Sequence, residues 1–381
     1  MTAFIDLAAQ QRRIRSEIDQ RIGAVLDHGR YIMGPEVAEL EGKLADYCGT
    51  ARCIGCGSGT DALLMALMAY DVGPGRAVFT TPFTFVATAE MIQLLGAEPV
   101  FVDVDETTFN LNPEALDRAV ARVTETRPDL QPAGIITVDL FGLPADYDAI
   151  RAVARKSGLF VIEDAAQSFG GTYRGRRAGS LGDVACTSFF PAKPLGGYGD
   201  GGAVLTDDPE LADKMVSIRV HGQGSDKYEN VRTGINGRLD TLQAAVLLAK
   251  LEVFDDELKS RQAVADRYTA GIREAGIGVT PPTVTEGCQS AWAQYSVLVE
   301  SRAVRDRVRE RLGADGVPTA IYYPKPLHLQ RAFAGLGCRP GDFPVSESLS
   351  ERIFSLPMHP YLTPEEQDRI IERLAAAARE Q

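Results

Sequence analysis

GIITVDL at residues 134–140, DYDAIRAVARKSG at 146–158 and LFVIED at 159–164 together decide the fold. Two short, mostly apolar runs flank a segment whose apolar residues recur with a helical period, which predicts a β–α–β unit. The same alternation extends over about residues 50–205, so we predict an α/β domain with a mainly parallel sheet covered on both faces. Two further strand-like runs, DVACTSFF at 183–190 and GAVLTDD at 202–208, have no helix between them, which is typical of a mixed sheet.

A long helical pattern follows at residues 239–274, with LQAAVLLAKLEVF as its apolar centre. Beyond it, SAWAQYSVLVE, AVRDRVRERLGADG and TAIYYP predict a strand, a helix and a strand. We therefore predict a large domain over residues 1–250 and a small α+β domain over 251–381, with the amphipathic N-terminal helix able to pack on the small domain. The last helix is predicted to begin with a capping box formed by Thr363 and Glu366.

Composition excludes several classes of protein. A net charge of −12 over 381 residues argues against a nucleic-acid partner. The N-terminal stretch does not have the form of a signal peptide, and no apolar run approaches the ~20 residues of a membrane span, so we expect a cytoplasmic protein without a membrane partner. Cys53 and Cys56 form a lone C-x-x-C without a second ligand pair at zinc spacing. Reduced structural thiols are therefore favoured over a metal or redox pair, and no metal site is expected.

Two segments carry candidate ligand groups. Glu163 and Asp164 stand at the carboxyl end of a predicted strand, where open α/β sheets bind ligands, although strand-ending carboxylates in solvent are an equally good interpretation. Since neighbours on a strand point to opposite faces, only one of the two can face a given ligand. In GCGSGTDALLMAL, glycines precede Thr60 and a helix, which favours a small anion at the helix amino end. The spacing is not G-x-G-x-x-G, so phosphate is a better interpretation than NAD.

Lys193 lies in FFPAKPLGGYGDGG, between an apolar stretch and the densest cluster of glycines. A solvated surface lysine is the ordinary interpretation, but burial in such a setting favours the unprotonated amine that attacks carbonyl cofactors. A phosphate loop, a strand-end carboxylate and this lysine together match pyridoxal 5'-phosphate (PLP). In that arrangement the helix end takes the phosphate, the carboxylate pairs with the pyridinium nitrogen, and the lysine forms the Schiff base.

A set of motifs extends over nearly the whole chain: GRYIMGPEVAELE, GSGTDALLMAL, TPFTFVATAE, EDAAQSFGG, SFFPAKPLGGYGDGGA, GINGRLDTLQAAVL and SLPMHPYL. These motifs resemble the DegT/DnrJ/EryC1/StrS aminotransferases, which have the fold of the type I PLP-dependent transferases and aminate keto groups on nucleotide-linked sugars. RLDTLQAA and CTSFFPAKPLG are most similar to the members that act on UDP-2-acetamido-2-deoxy-3-oxo-glucuronate. The resemblance implies glutamate as the amino donor, pyridoxamine phosphate (PMP) in the half-reaction, and a role in polysaccharide biosynthesis.

The resemblance also implies roles for individual residues. Lys193 would form the Schiff base and move the proton between the substrate carbon and the cofactor, and Asp164 would keep the pyridine nitrogen protonated. Gln167 would bind the ring hydroxyl, and Phe85 would stack on the ring, where a core phenylalanine is otherwise the default. Three residues would hold the phosphate: Gly59, Thr60 and Ser188.

In the family a segment of the partner subunit completes the site of a homodimer. By this resemblance Asn236 would reach the phosphate across the interface, and Arg238 would meet the substrate. The alternative for Asn236 is a helix cap, although Asp240 is better placed for that. Tyr322 and Tyr323 in IYYPKPLH would lie on the substrate side, where the glucuronate group has a His-Tyr pair.

Other features leave alternatives open. The chain has DLFGLPAD, with Asp139 and Leu143, where many family members have a His-Leu-Phe/Tyr-Gly-Gln run. His328 and His359 could be ligands, but packed or surface histidines are the better interpretation. A sugar dehydratase of the same fold is one alternative function, but in those enzymes histidine replaces the lysine. A non-catalytic regulator or sensor is another, but it would need a binding segment that the sequence lacks.

Overall fold

The computed structural model describes residues 2–226 and 228–379. Its main feature is a seven-stranded sheet in the order β1-β9-β8-β5-β4-β2-β3. The strands of this sheet are β1 (Arg52–Cys56), β2 (Arg76–Thr80), β3 (Glu98–Phe101), β4 (Gln131–Val138), β5 (Phe160–Asp164), β8 (Val184–Ser188) and β9 (Gly202–Thr206). Two short strands, β6 (Thr172–Tyr173) and β7 (Arg176–Arg177), form a separate sheet with β10 (Cys288–Gln289).

The sheet is mixed, as the sequence predicts. Strands β2, β3, β4, β5 and β8 pair in parallel, whereas β9 is antiparallel to both of its neighbours, β8 and β1. The segment between β8 and β9 holds Lys193 in place of a crossover helix. Residues 134–138 of β4 and 161–164 of β5 are buried because helices cover both faces of the sheet.

The helices that cover the sheet begin at residues suited to that position. Ser58, Asn112 and Asp146 each accept a backbone N–H from the first turn of the helix that follows them. The helices of the first part of the chain are α1 (Leu7–His28), α2 (Pro35–Cys48), α3 (Gly59–Ala69), α4 (Ala87–Leu94), α5 (Pro113–Thr126), α6 (Tyr147–Ser157) and α7 (Pro209–Arg219).

The long predicted helix is α8 (Thr241–Ala275), which contributes to two separate hydrophobic cores. Its first half packs with α2 and the edge of the large sheet, and its second half packs with the C-terminal part of the chain. Helix α1 lies along its middle, where Ile14 and Ile18 contact Ala249. The predicted domain boundary at residue 250 falls inside α8, and the division into domains of 1–250 and 251–381 stays a prediction.

The C-terminal core contains α9 (Arg302–Ala314), α10 (Pro344–Arg352), α11 (Pro364–Arg379) and an antiparallel pair, β11 (Tyr295–Leu298) and β12 (Ile353–Leu356). The capping box of the last helix is confirmed, because Thr363 and Glu366 exchange backbone-to-side-chain hydrogen bonds of 3.0 and 3.2 Å. The prediction of a strand at TAIYYP is wrong. Only Ala320 pairs there, with Ser355, since the flanking prolines lack the N–H groups that a longer ladder needs.

Two findings concern the cysteine pair of the C-x-x-C motif and the possibility of a membrane-spanning helix. Cys53 and Cys56 are buried free thiols in β1, and burial raises the pKa of both, which makes them unreactive. Among the described helices, none combines the length and the apolar character needed to cross a bilayer.

Candidate active site

The candidate site lies at the carboxyl ends of the central strands. Asp164 is the last residue of β5, in register with Val138 of β4 and Cys186 of β8. The amino ends of α3 and α4 open toward the same edge, because each helix follows a strand that runs in the direction of β5. Strand β2 pairs in parallel with β4, and β1 is antiparallel to β9, which is itself antiparallel to β8. This geometry brings together side chains that lie more than a hundred residues apart in sequence.

Asp164 is 6% exposed and holds a defined orientation. Its Oδ2 accepts a hydrogen bond of 2.8 Å from Oγ1 of Thr88, and its Oδ1 accepts a weaker one of 3.3 Å from the backbone N–H of Ala166. Burial raises the pKa of this carboxyl, while the bond from Thr88 and the charge of Lys193 oppose the rise. The carboxylate is therefore poised to meet a further donor on its Oδ1 side.

Lys193 is half-buried, in the segment between β8 and β9. Loss of water around the ammonium lowers its pKa, and the nearby charge of Asp164 partly offsets that effect. Asp164 ends β5, and the segment that carries Lys193 follows the neighbouring strand β8, so both groups lie at the same edge of the sheet. A lowered pKa favours the unprotonated amine, which is the form that attacks a carbonyl carbon.

Glu163 faces the other side of the sheet, as the alternation along a strand requires. Its carboxylate is fully buried and accepts backbone N–H groups from Gly179, Leu181 and Gly182 at 2.6 to 3.2 Å. Burial raises its pKa to about 7, against the lowering effect of these bonds. Of the two strand-end carboxylates, Asp164 alone faces Lys193, and Glu163 holds a loop.

The amino end of α3 meets the end of β8 and the start of β9. A Cβ on Gly59 would lie 2.7 Å from Cβ of Ser188, and one on Gly202 would lie 2.4 Å from the carbonyl oxygen of Ser58, so only glycine allows this approach. The first N–H groups of α3, including those of Gly59 and Thr60, have no partner inside the helix. Together with the helix dipole they form a site for a small anion.

Gln167 is 4% exposed and is fixed from two sides. Its Oε1 accepts the N–H of Phe141 at 2.7 Å, and its Nε2 donates to the hydroxyl of Tyr323 at 3.2 Å. The charge of Asp164 contributes to the raised pKa of Tyr323, so Tyr323 and Gln167 lie on the Asp164 side of the pocket.

Asp139 holds the loop that carries Phe141. It is fully buried and accepts hydrogen bonds from the N–H of Ala145 and the hydroxyls of Tyr147 and Ser168 at 2.8 to 2.9 Å. Burial and the charge of Glu163 raise its pKa. In this chain, therefore, the residue at the position of the family histidine supports the loop beside Gln167.

Phe85 and Tyr322 lie nearer to the surface. Phe85 is 55% exposed just before α4, so it is not a core phenylalanine. Tyr322 is half-buried, and its ring packs against those of Tyr323 and Phe4, with centres 5.9 and 6.5 Å apart. The N-terminal segment therefore contributes an aromatic ring beside Tyr322, which the sequence did not reveal.

The segment with Asn236 and Arg238 runs beside the α3 loop of the same chain. The N–H of Gly57 donates to the carbonyl of Gly237 at 3.0 Å, and Arg238 pairs with Cys56 as an isolated bridge. Asn236 is exposed, and in the described part of the chain Nε of Arg238 is buried without a hydrogen-bond partner. Asp240 is the N-cap residue of α8, so Asn236 does not cap that helix.

The two candidate histidines have different surroundings. His328 is buried, and its Nε2 lies 3.1 Å from Oε1 of Glu347, which makes it a packed side chain. His359 is 3% exposed and lines a small cavity that Lys193 also borders.

Thr88 is the main site residue that the sequence analysis missed. It stands in the quoted stretch TPFTFVATAE, three residues after Phe85, but a threonine near a helix start is ordinarily interpreted as part of local helix structure. Only the packing of α4 against the end of β5 shows its bond to Asp164.

Comparison with known proteins gives a consistent result. Residues 12–375 match the sequence model of the DegT/DnrJ/EryC1/StrS aminotransferase family. The UDP-2-acetamido-2-deoxy-3-oxo-D-glucuronate aminotransferase of Pseudomonas aeruginosa is 50% identical over 362 residues, 95% of this chain and 96% of that protein.

Solved structures agree with the sequence relatives. A crystal structure of a DegT DnrJ EryC1 StrS aminotransferase from Brucella abortus is 51% identical, covers 100% of both chains and superposes with a TM-score of 0.96. NtdA from Bacillus subtilis, solved with bound cofactor PMP, is 29% identical with a TM-score of 0.89 and covers 99% of this chain and 83% of its own.

Proposed function

The chain belongs to the DegT/DnrJ/EryC1/StrS aminotransferase family, and we propose the sugar on which it acts and the assembly in which it works. It is a PLP-dependent aminotransferase for a keto group on a nucleotide-linked sugar. The single observation that carries this function is the placement of Asp164 at the end of β5, with Lys193 in the segment that follows the neighbouring strand β8, beside the open amino end of α3. A dehydratase of the same fold and a regulator are not favoured.

The residues of the pocket fit PLP. Asp164 has an oxygen that is weakly engaged, as a protonated ring nitrogen would require. The N–H groups of Gly59 and Thr60 have no partner inside α3 and can meet a phosphate beside Ser188, which Gly59 approaches closely. The half-buried amine of Lys193 has a lowered pKa, as a Schiff-base lysine needs. When bound, PLP supplies an electrophilic carbon and an aromatic ring that accepts electron density from the substrate carbon.

Lys193 and Asp164 would carry the proton chemistry. The amine of Lys193 would bond to the cofactor and, once released by the amino donor, would take a proton from the donor's α-carbon and deliver one to the cofactor carbon. Asp164, ionised and held by Thr88, would keep the ring nitrogen protonated. Burial lowers the pKa of Lys193, and the negative charge of Asp164 partly opposes that effect.

The remaining residues would bind and orient. Gly59, Thr60 and Ser188 would hold the phosphate, Phe85 would cover one face of the ring, and Gln167 would bind the ring hydroxyl with its amide. Gln167 is well suited to this task because the N–H of Phe141 and the hydroxyl of Tyr323 fix the oxygen and the nitrogen of its amide group. Arg238, Tyr322 and Tyr323 would contact the sugar.

The proposed substrate is a UDP-2-acetamido-3-oxo-glucuronate or a related 3- or 4-keto sugar, with glutamate as donor. The 50% identity to the Pseudomonas aeruginosa enzyme over 95% of the chain supports this assignment. Arg238 supports it too, because a guanidinium grips a carboxylate or phosphate with two parallel hydrogen bonds. Such a product would enter polysaccharide biosynthesis, and the net charge of −12 suits an enzyme of the cytoplasm.

The proposed working unit is a homodimer with shared sites. Asn236 of the partner subunit would reach the phosphate, and Arg238 of the partner subunit would reach the sugar. The exposure of Phe85 and of Asn236 supports this, since a second copy would cover them. The contact between Gly57 and Gly237 lies within one chain, and it favours the alternative in which Arg238 binds the sugar in the site of its own chain.

One experiment tests the function directly. The purified protein, loaded with PLP, is incubated with glutamate and a panel of UDP- and dTDP-linked keto sugars, and 2-oxoglutarate is followed. We expect the visible absorbance of the bound cofactor to disappear with glutamate and to return when a UDP-linked 3-keto uronate is added. Loss of absorbance with glutamate but no return with any keto sugar would contradict the sugar substrate, and no change with glutamate would contradict the donor.

A further inference from the structure

Lys250 is a charged side chain in the middle of α8 that has no part in the reaction described above. It is 1% exposed, and its Nζ has no hydrogen-bond acceptor among the described residues. A buried ammonium without such a partner is costly, and burial lowers its pKa to about 8 although the charge of Glu257 on the same helix opposes this. A cation retained at this cost calls for a function.

The contact that Lys250 does make is with an aromatic ring. Its Nζ lies 4.4 Å from the centre of the ring of Tyr198, which is a cation–π distance. Tyr198 belongs to the lysine loop, which we define as residues 189–202 and which also contains Lys193. The charge of Arg15 on α1 acts on the same tyrosine.

Helix α8 holds the lysine loop at a second point. Oε1 of Gln243 accepts the backbone N–H of Tyr198 at 2.8 Å. A Cβ on Gly197 or Gly199 would lie 2.8 Å from the amide group of Gln243, so the absence of a side chain at both positions leaves room for that amide. Gln243 and Lys250 are seven residues apart, two turns of the helix, and therefore share one face.

The lysine loop is itself anchored on both sides of Lys193. Phe189 and Leu195 are buried in the core beside α8, and the N–H of Lys193 donates to the carbonyl of Phe190 at 2.8 Å. Beyond Leu195 the loop has glycines on both sides of Tyr198, at 197 and 199, which place few restraints on the backbone. The contacts of Tyr198 with α8 therefore add a further restraint on the glycine-rich half of the loop.

We propose that Lys250 is a positioning residue, which holds Tyr198 through its cation–π contact and thereby keeps the lysine loop, and Lys193 within it, in place against Asp164. The proposal rests on the proposed function, because it takes Lys193 as the reacting lysine. It assigns a task to the contact between Nζ of Lys250 and the ring of Tyr198.

The test uses four variants of the full chain: Lys250→Met, Lys250→Arg, Tyr198→Leu and the Lys250→Met/Tyr198→Leu double. The matched control is Lys259→Met, an exposed lysine on the same helix. The first measurement is amide hydrogen exchange of the lysine loop in cofactor-free protein. The second is the single-turnover rate of the half-reaction with glutamate.

We expect Lys250→Met to speed exchange in the loop and to slow the half-reaction by about tenfold, the effect of losing one such contact, with KM for glutamate unchanged. Lys250→Arg should keep near-normal values, because arginine also binds an aromatic face. Tyr198→Leu should match Lys250→Met, and the double variant should lose no more than either single one.

Unchanged loop exchange in Lys250→Met, or losses that add in the double variant, would overturn the proposal. If Lys250→Met does not fold, Tyr198→Leu decides the matter, since Tyr198 is 37% exposed and its loss leaves the core intact. A wild-type protein that reacts with no amino donor would refute the proposed function, while the exchange comparison would still test Lys250.

Discussion

The hydrogen bond from Thr88 to Asp164 can be tested by removing the hydroxyl alone. Thr88→Val has nearly the same volume, so packing at this buried position changes little, but the 2.8 Å bond to Oδ2 is lost. A hydrogen bond to a charged group contributes roughly 1.5–3 kcal/mol. Since one pKa unit is about 1.36 kcal/mol, the pKa of Asp164 should rise by about one to two units.

The sign of the effect on activity follows from the role of the ionised carboxylate. Burial already holds the pKa of Asp164 above its usual value, and loss of the Thr88 bond raises it further. Activity is lost as the pH falls through this pKa, because a protonated carboxyl no longer holds a proton on the ring nitrogen. The acidic limb of kcat/KM for the glutamate half-reaction should therefore move to higher pH by about one to two units.

The assay is the pH profile of that half-reaction, followed by the visible absorbance of the cofactor. Thr88→Ser keeps the hydroxyl and should keep the wild-type profile. Thr84→Val is the matched control, because the Thr84 hydroxyl lies 3.3 Å from that of Thr88 and makes no bond to Asp164. A Thr88→Val profile that overlays the wild type, with normal thermal stability, would refute the reasoning.

Three further predictions follow from the same pocket. Lys193→Ala should abolish turnover, and borohydride should label Lys193 in the wild type; a label on another lysine would reject the assignment. Asp164→Asn should lower the rate by several orders of magnitude with the fold intact. Glu163→Gln should instead lower the free energy of unfolding by roughly 1–3 kcal/mol and leave the rate of the half-reaction near normal, because the Glu163 carboxylate binds backbone N–H groups of a loop. Equal mixing of inactive Lys193→Ala and Arg238→Ala subunits should restore about a quarter of wild-type activity if sites are shared, and no recovery after proven exchange would place Arg238 in its own chain's site.

Much of the fold could be predicted because its signals are local. The apolar runs of β4 and β5 and the helical period of α6 between them define a parallel unit without reference to distant residues. The segment TAIYYP has the β-rich composition of a strand. Strand pairing, however, depends on which segment of the same chain lies beside it, and within TAIYYP only Ala320 forms a pair, with Ser355. Composition alone does not carry that information.

The site was predicted where chemistry restricts the choice of residue. Lys193 and Asp164 could be named because few residue types perform their tasks, and strand alternation explains why Asp164 and not Glu163 faces the lysine. Thr88 and Lys250 could not be named. Their importance depends on contacts with Asp164 and Tyr198 across the fold, and in the sequence one belongs to a helix start and the other to an apolar helical run.

The packing of α1 on α8 has a consequence for synthesis on the ribosome. Gln10 donates to Glu257 across 247 residues, and β1 pairs only with β9 in the large sheet, about 150 residues later. At the usual elongation rate of about 5–20 residues per second, the apolar face of the first helix waits roughly 12 to 50 s for its partner to emerge. During that interval α1 lacks the helix on which it packs and β1 lacks its partner in the large sheet, so we expect both to stay accessible to chaperones until α8 and β9 have been synthesised.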